Sequence, residues 1–312
     1  MTDYRFERLG RPHFAELGPL MIDAFGGSVP EDYFDWKYLQ NPAGDAAGRV
    51  ARAPDGSIAA FYGMIPERYR MGGAVRTIYQ SCDTMTHSSH RRRGLFQRLA
   101  LDTYEAAIAA DPNFFAFGFS GDASTPGFLK MNWRIDALLA HRFQPFPLTL
   151  LGARDSGITE AAIASHRLLE TIVDLAPAGD GLVRDRAFIE WRLANPMRDY
   201  RALLDPGRAY GIYYQEGAMI FLVDLGEREP GDARLLLRQL AGLSRASRGK
   251  GILTWGSDSS PLIKAVRHAG YLRNPWRRGP ASHRIPLISF RSPPGSTNLG
   301  DLPITPLDHD SL

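Results

Sequence analysis

DTMTHSSHRRRGLFQRLALDTYEAAI, residues 83–108, reads as the end of a strand, a basic turn and a helix. Leu95, Phe96, Leu99, Ala100 and Leu101, then Tyr104, Ala107 and Ile108, recur at the spacing of a helix that buries one face, and Asp111-Pro112 closes the run. The helix is therefore expected to begin near Gly94. Arg91, Arg92 and Arg93 stand just before it, where unpaired N–H groups and the helix dipole already make the potential positive. Local structure alone would place Asp, Ser or Thr there. A bound anion resolves the conflict, because amides after a glycine approach a pyrophosphate closely while guanidiniums neutralise it from outside. A solvated basic turn is the alternative reading of the same charges.

Working outward, residues 14–25 and 31–39 pattern as helices, broken by Gly26-Gly27 with Pro30 and by Asn41-Pro42. Strands at 48–53 and 57–62 flank the turn Pro54-Asp55-Gly56, and Gly72-Gly73 separates strands at 67–71 and 74–86. An antiparallel meander thus leads into the arginine loop. Beyond the helix, residues 114–119 form a continuous apolar run, expected as a strand buried on both faces, which ends at Ser120-Gly121-Asp122. Ser124-Thr125-Pro126 then opens another helix with a hydroxyl cap and a first-turn proline.

The run Arg91-Arg92-Arg93-Gly94-Leu95-Phe96 resembles the Arg-x-x-Gly-x-Gly/Ala pyrophosphate loop of the GNAT superfamily of acyl-CoA-dependent N-acyltransferases. FGFSGDASTPGFLKMNWR, residues 117–134, is similar to that family's second cofactor segment. The resemblance implies an α/β fold with a mixed, mostly antiparallel central sheet flanked by helices, in which two strands splay to admit the thioester end of acetyl-CoA or another acyl-CoA. It also implies cofactor contacts at Met85, Thr86, Arg91, Arg92, Arg93, Gly94, Leu95, Phe96, Ser124 and Phe128. Phe96 departs from the pattern, standing where the family has a small residue.

Acyl transfer to an amine needs a base, since an alkyl amine with a pKa near ~10.4 is protonated at neutral pH. The resemblance carries that role onto Asp83 in the strand before the loop, with Glu67 on the neighbouring strand as the alternative. Pairing with a nearby arginine would instead make Asp83 a poor base. The family's general-acid tyrosine position holds Phe128, so Tyr79 or a water would protonate the thiolate, or it leaves unassisted. His87 and His90 read as a base, as phosphate ligands or as plain loop residues. Trp36, Trp133 and Trp191 read as core, and Cys82 as an acyl-accepting nucleophile or a small buried hydrophobe.

Residues 143–181 read as a connector with a helix over 159–175, after which the sequence echoes itself. Phe34-Asp35-Trp36-Lys37-Tyr38-Leu39 with Asn41-Pro42 is matched by Ile189-Glu190-Trp191-Arg192-Leu193 with Asn195-Pro196. Strands at 200–204, 209–214 and 218–225, a helix at 233–248, a strand at 252–256 and a helix at 261–269 then repeat the GNAT order. Gly226-Glu227-Arg228-Glu229-Pro230-Gly231-Asp232 stands in place of the arginine loop, and its carboxylates would repel a pyrophosphate. The expected organisation is tandem: a GNAT domain with the acyl-CoA site (1–142), the connector, a degenerate GNAT-like domain serving as scaffold and substrate wall (182–290), and a Pro/Gly-rich tail (291–312). Such tails are commonly disordered; in some tandem GNAT proteins the C-terminus instead returns to the active site.

With 312 residues and 44% hydrophobic content, the chain can bury a sizeable core. A net charge of +3, from 37 basic and 34 acidic residues, is no nucleic-acid footprint. The lone Cys82 rules out an internal disulfide framework and a Cys-rich zinc site. No apolar stretch nears the roughly 18 residues of a membrane span, and Asp3, Arg5, Glu7 and Arg8 do not suit a signal peptide. A cytoplasmic N-acyltransferase acting on a small-molecule amine, with no metal, is the expectation. The alternatives are a Fem-type aminoacyl transferase using aminoacyl-tRNA and a non-catalytic acyl-CoA-binding protein.

Overall fold

The structure, a computed structural model, describes residues 4–145, 158–273, 284–292 and 297–309. The strands Arg5–Arg8, Ala47–Arg52, Ile58–Met71 and Ala74–Thr86 pair in antiparallel succession. Asp55 accepts from the amide and hydroxyl of Ser57, and Gly56 takes a φ of 88°, which is why Pro-Asp-Gly closes the second of these hairpins. The helix Leu95–Ala110 then crosses to Phe115–Phe119, which runs parallel to Ala74–Thr86.

That parallel pairing is short, holding only at Tyr79 opposite Ala116 and Gln80 opposite Phe117. Next to its end lies a bulge. Phe61 pairs with Met85 and Gly63 with Cys82, so Tyr62 alone faces two residues, and Asp83 adopts a left-handed φ of 46°. An extra residue bends and twists the strand that carries it, so Ser81–Thr86 turns away from Phe115–Phe119 and a cleft opens between them.

The second half has the same order. Strands Arg201–Asp205, Ala209–Glu216 and Met219–Glu227 form a meander, helix Ala233–Ala246 follows, and Gly251–Gly256 lies parallel to Met219–Glu227. A bulge recurs here too, with Ile212 opposite Asp224 but Tyr213 opposite Leu222. Asp83 and Asp224 thus stand at matching bulges. The helices Tyr33–Leu39 and Arg186–Leu193 meet through Trp36 and Trp191, whose rings stack with centroids 5.2 Å apart.

The two halves share one 14-stranded sheet among the described residues. Arg134–Pro145 joins them: its first half pairs with Ile285–Arg291 and its second with Gly251–Gly256. Twelve residues extend roughly 40 Å, enough to pair with the strands of one lobe and then with those of the other. This strand runs through the boundary expected at residue 142. Ile285–Arg291, expected at the end of the second domain and the start of the tail, inserts between Phe115–Phe119 and Arg134–Pro145 in the first lobe. The helix expected over 159–175 is a correction: Thr159–Ala161 pairs as an edge strand with Arg201–Asp205, and only His166–Asp174 is helical. The unpaired edge of Arg201–Asp205 offers ladder bonds that local helix pattern does not register.

The described part of the tail, residues 297–309, is packed. Leu299, Leu302, Ile304 and Leu307 are buried. Ser257 donates its amide to the Ile304 carbonyl (3.0 Å) and its hydroxyl to that of Leu302 (2.6 Å). The turn Pro306–Asp308 touches both Met219–Glu227 and Gly251–Gly256, whose pairing ends at Phe221 opposite Leu253. The opening in the second lobe is therefore filled by the chain itself.

Candidate active site

The cleft in the first lobe has a volume of about 510 Å³. Ser81, Cys82, Asp83 and Thr84 form one wall and Gly118, Phe119 and Ser120 the other. A side chain at Gly118 would come within 3.3 Å of the Ser81 carbonyl, so glycine keeps this wall low near the apex.

Thr86, Arg91, Phe96, Ser124 and Phe128 stand at one end. Gly94 is the N-cap of Leu95–Ala110, with φ 72°; having no side chain, it leaves the first-turn amides of a 16-residue helix uncapped. Arg92 is also left-handed, at φ 61°. Alternating left-handed residues before an uncapped helix turn amides toward one point, which suits phosphate. Phe96 lies edge-on to Phe128, centroids 5.0 Å apart, and a Cβ on Gly127 would be 2.5 Å from its ring. The small residue that position 96 lacks is supplied at position 127. Met85 and Leu95 are buried in the core and anchor the loop from beneath; Arg92, Arg93 and Gly94 sit in the loop without lining the cleft.

The three residues read as proton-transfer groups fall in different places. Asp83 lines the cleft, but its carboxylate is 2.8 Å from the buried Lys37 ammonium and accepts from the Tyr38 hydroxyl at 2.7 Å and from Tyr33 at 3.4 Å. Burial, reinforced by the Asp83 charge, pushes the Tyr38 phenol well above its ordinary value, so it remains a donor. Gly63 makes this possible, since a Cβ there would lie 2.6 Å from the Tyr38 oxygen. Glu67 is fully buried against Arg192 of the second lobe, 2.7 Å away, and Tyr79 packs on Phe114 in the helix-covered layer. Neither lines the cleft. His90 meets the Tyr4 hydroxyl (2.9 Å), and His87 accepts from Ser89 within its own turn. Trp36, Trp133 and Trp191 are core residues.

Sequence reasoning missed Thr84, Gly118, Ser120, Phe25, Ile288 and His309 as lining residues. Ser120-Gly121 carried a signal, ending a buried strand with small polar residues. His309 carried only its place in a tail that could return to the active site. Among the described residues, no group of three or more His, Cys, Asp and Glu is arranged to hold a metal, and no helix is long and apolar enough to cross a membrane.

The splayed parallel pair, the arginine loop and the repeated meander define a tandem GNAT fold, and the solved structures similar to this chain include GNAT acetyltransferases. A GCN5-related N-acetyltransferase from Kribbella flavida matches at 15% identity and TM-score 0.65, covering 92% of this chain and 71% of that one. A tandem GNAT protein from the clavulanic acid biosynthesis pathway matches at 12% identity and TM-score 0.61 over 94% of this chain and 100% of that one. N-myristoyltransferase from Saccharomyces cerevisiae with bound myristoyl-CoA matches at 9% identity and TM-score 0.62, covering 91% and 82%. No family model and no curated protein sequence matches the chain.

Proposed function

We propose that this protein is an N-acyltransferase that moves an acetyl or other short acyl group from acyl-CoA to a small-molecule amine by direct attack. The observation that carries this is the cleft between Ser81–Thr86 and Gly118–Ser120, opening onto the uncapped helix behind Arg91–Gly94. Phosphates fit the amides and Arg91, and the pantetheine arm fits the narrow space that Gly118 keeps open. Myristoyl-CoA in one similar structure extends the candidate donors to longer chains. The first lobe holds the site, while the second, filled by residues 302–308 and acidic where the loop should be, serves as scaffold and wall.

Thermal shift tests the reading. Acetyl-CoA, longer acyl-CoAs and free CoA, each at about 100 times its Kd, should add roughly 2.7 kcal/mol of stability. Gly94→Asp should abolish the shift, since Asp tolerates a left-handed φ but sets a carboxylate against phosphate. No shift in the parent protein would overturn the reading. A non-catalytic acyl-CoA-binding role is favoured by one observation, the engagement of Asp83 by Lys37 and Tyr38. Thiol release with a broad amine panel would eliminate it.

A further inference from the structure

We propose that the imidazole of His309 is the proton acceptor for the attacking amine in this cleft, a proposal that rests on the N-acyltransferase reading above. An acyl-CoA carries its phosphates at one end and its thioester at the other. With the phosphates at Arg91, the thioester lies toward the opposite end of the cleft, near the apex of the splay, where His309 packs on Phe119 and Asp83 also lines the wall.

The chain delivers His309 there through a set of buried bonds. Gln80, the last residue of the short parallel pairing, donates its side-chain amide to the Asp308 carbonyl, so the tail is fastened at the apex of the splay. Asp308 is fully buried, accepting from the Tyr69 hydroxyl at 2.9 Å and the Thr305 amide at 2.8 Å, with Arg184 at 3.5 Å. Arg192 donates to the His309 carbonyl at 3.3 Å. Burying charged and polar groups is favourable only with such partners, and together they fix the main chain of 308 and 309. These bonds engage the Asp308 carboxylate and the carbonyls of 308 and 309. The ring itself packs on Phe119, centroids 4.9 Å apart, and on Trp255 at 5.8 Å.

Among the described residues, the titratable and charged groups on the elements around it are Cys82 and Asp83 on the cleft wall, with Lys37 buried behind Asp83, Arg192 at its carbonyl, and Asp308 with Arg184. The Asp83 carboxylate is already engaged by the Lys37 ammonium and the Tyr38 and Tyr33 hydroxyls, whereas an imidazole is matched to proton transfer near neutral pH. In the step, the amine nitrogen bonds to the thioester carbonyl carbon and the C–S bond breaks with its electron pair going to sulfur. The nitrogen's proton passes to a ring nitrogen of His309. The thiolate then takes that proton back, or one from water.

The test uses the full chain and its variants His309→Gln and His309→Ala. Acetyl-CoA should stabilise both as it does the parent, showing that the site is intact. With primary alkyl amines, kcat/KM should fall about 10²- to 10⁴-fold and lose the rise with pH that deprotonation of the base produces. With a weakly basic aromatic amine the loss should be smaller. An unchanged rate and pH profile with alkyl amines overturns the proposal. Should no amine be turned over by the parent protein, the His309 ring resonances, assigned by their disappearance in His309→Gln, are followed by NMR as acetyl-CoA is added. Movement at saturation supports the placement, and resonances that stay still overturn it. Absence of any acetyl-CoA shift in the parent instead removes the N-acyltransferase reading, and this proposal with it.

Discussion

Trp36 and Trp191 each donate the indole N–H to the other's backbone carbonyl, at 2.7 and 2.9 Å, across the junction of the two lobes. Reciprocal contacts of this kind belong to an isologous interface. Here both partners are in one chain, so the short echo around these tryptophans marks a structural repeat.

Trp36→Phe or Trp191→Phe keeps an aromatic ring in the stack, with less area, and removes the indole donor from the partner's buried carbonyl. Each should cost about 1–3 kcal/mol by chemical denaturation. The double variant should depart from additivity, since the two bonds share one interface; strict additivity would show that they act independently.

Lys37 and Asp83 form a buried pair. Lys37→Met strands the carboxylate and should destabilise by about 3–5 kcal/mol. Adding Asp83→Asn should recover much of that loss. An equal cost of Lys37→Met in both backgrounds would show that the pair contributes nothing.

Gly127→Ala forces the Phe96 ring aside. A loss of about 1–3 kcal/mol is expected, with weaker acyl-CoA binding in titration calorimetry. Phe96→Leu in the same background should relieve part of the loss, and its failure to do so would place the strain elsewhere.

Glu7 offers a pH test. The hydrogen bond from His13, helped by Arg52 and Arg5 against a desolvation cost, holds its carboxyl at about 2. A depressed folded-state pKa contributes stability that is present above the unfolded value of roughly 4.3 and is lost as pH falls toward the folded one. Glu7→Gln should therefore flatten the stability curve across that acid window, measured by thermal unfolding at a series of pH values. Parallel curves for parent and variant would refute the assignment.

Much of the local structure was legible. The helix Leu95–Ala110 starts at the residue after Gly94, and the turn at Gly72-Gly73 joins the strands it was expected to join. These features follow from side-chain periodicity and positive-φ glycine, both properties of neighbouring residues. Asp83 was visible as a carboxylate on the strand before the loop, but its partner Lys37 lies 46 positions away on a separate helix.

The sequence by itself determined the meander, the arginine loop with its helix, the buried strand after it, and the repetition of that order. Each rests on period, turn chemistry or charge within a short window. Tertiary structure alone decided that Ile285–Arg291 pairs in the first lobe, that Arg134–Pro145 serves both, and that residues 302–309 fill one opening and line the other. Strand edges present the same N–H and C=O groups to every candidate partner. Which edge is taken depends on the burial achieved by the whole chain, a quantity no local window contains.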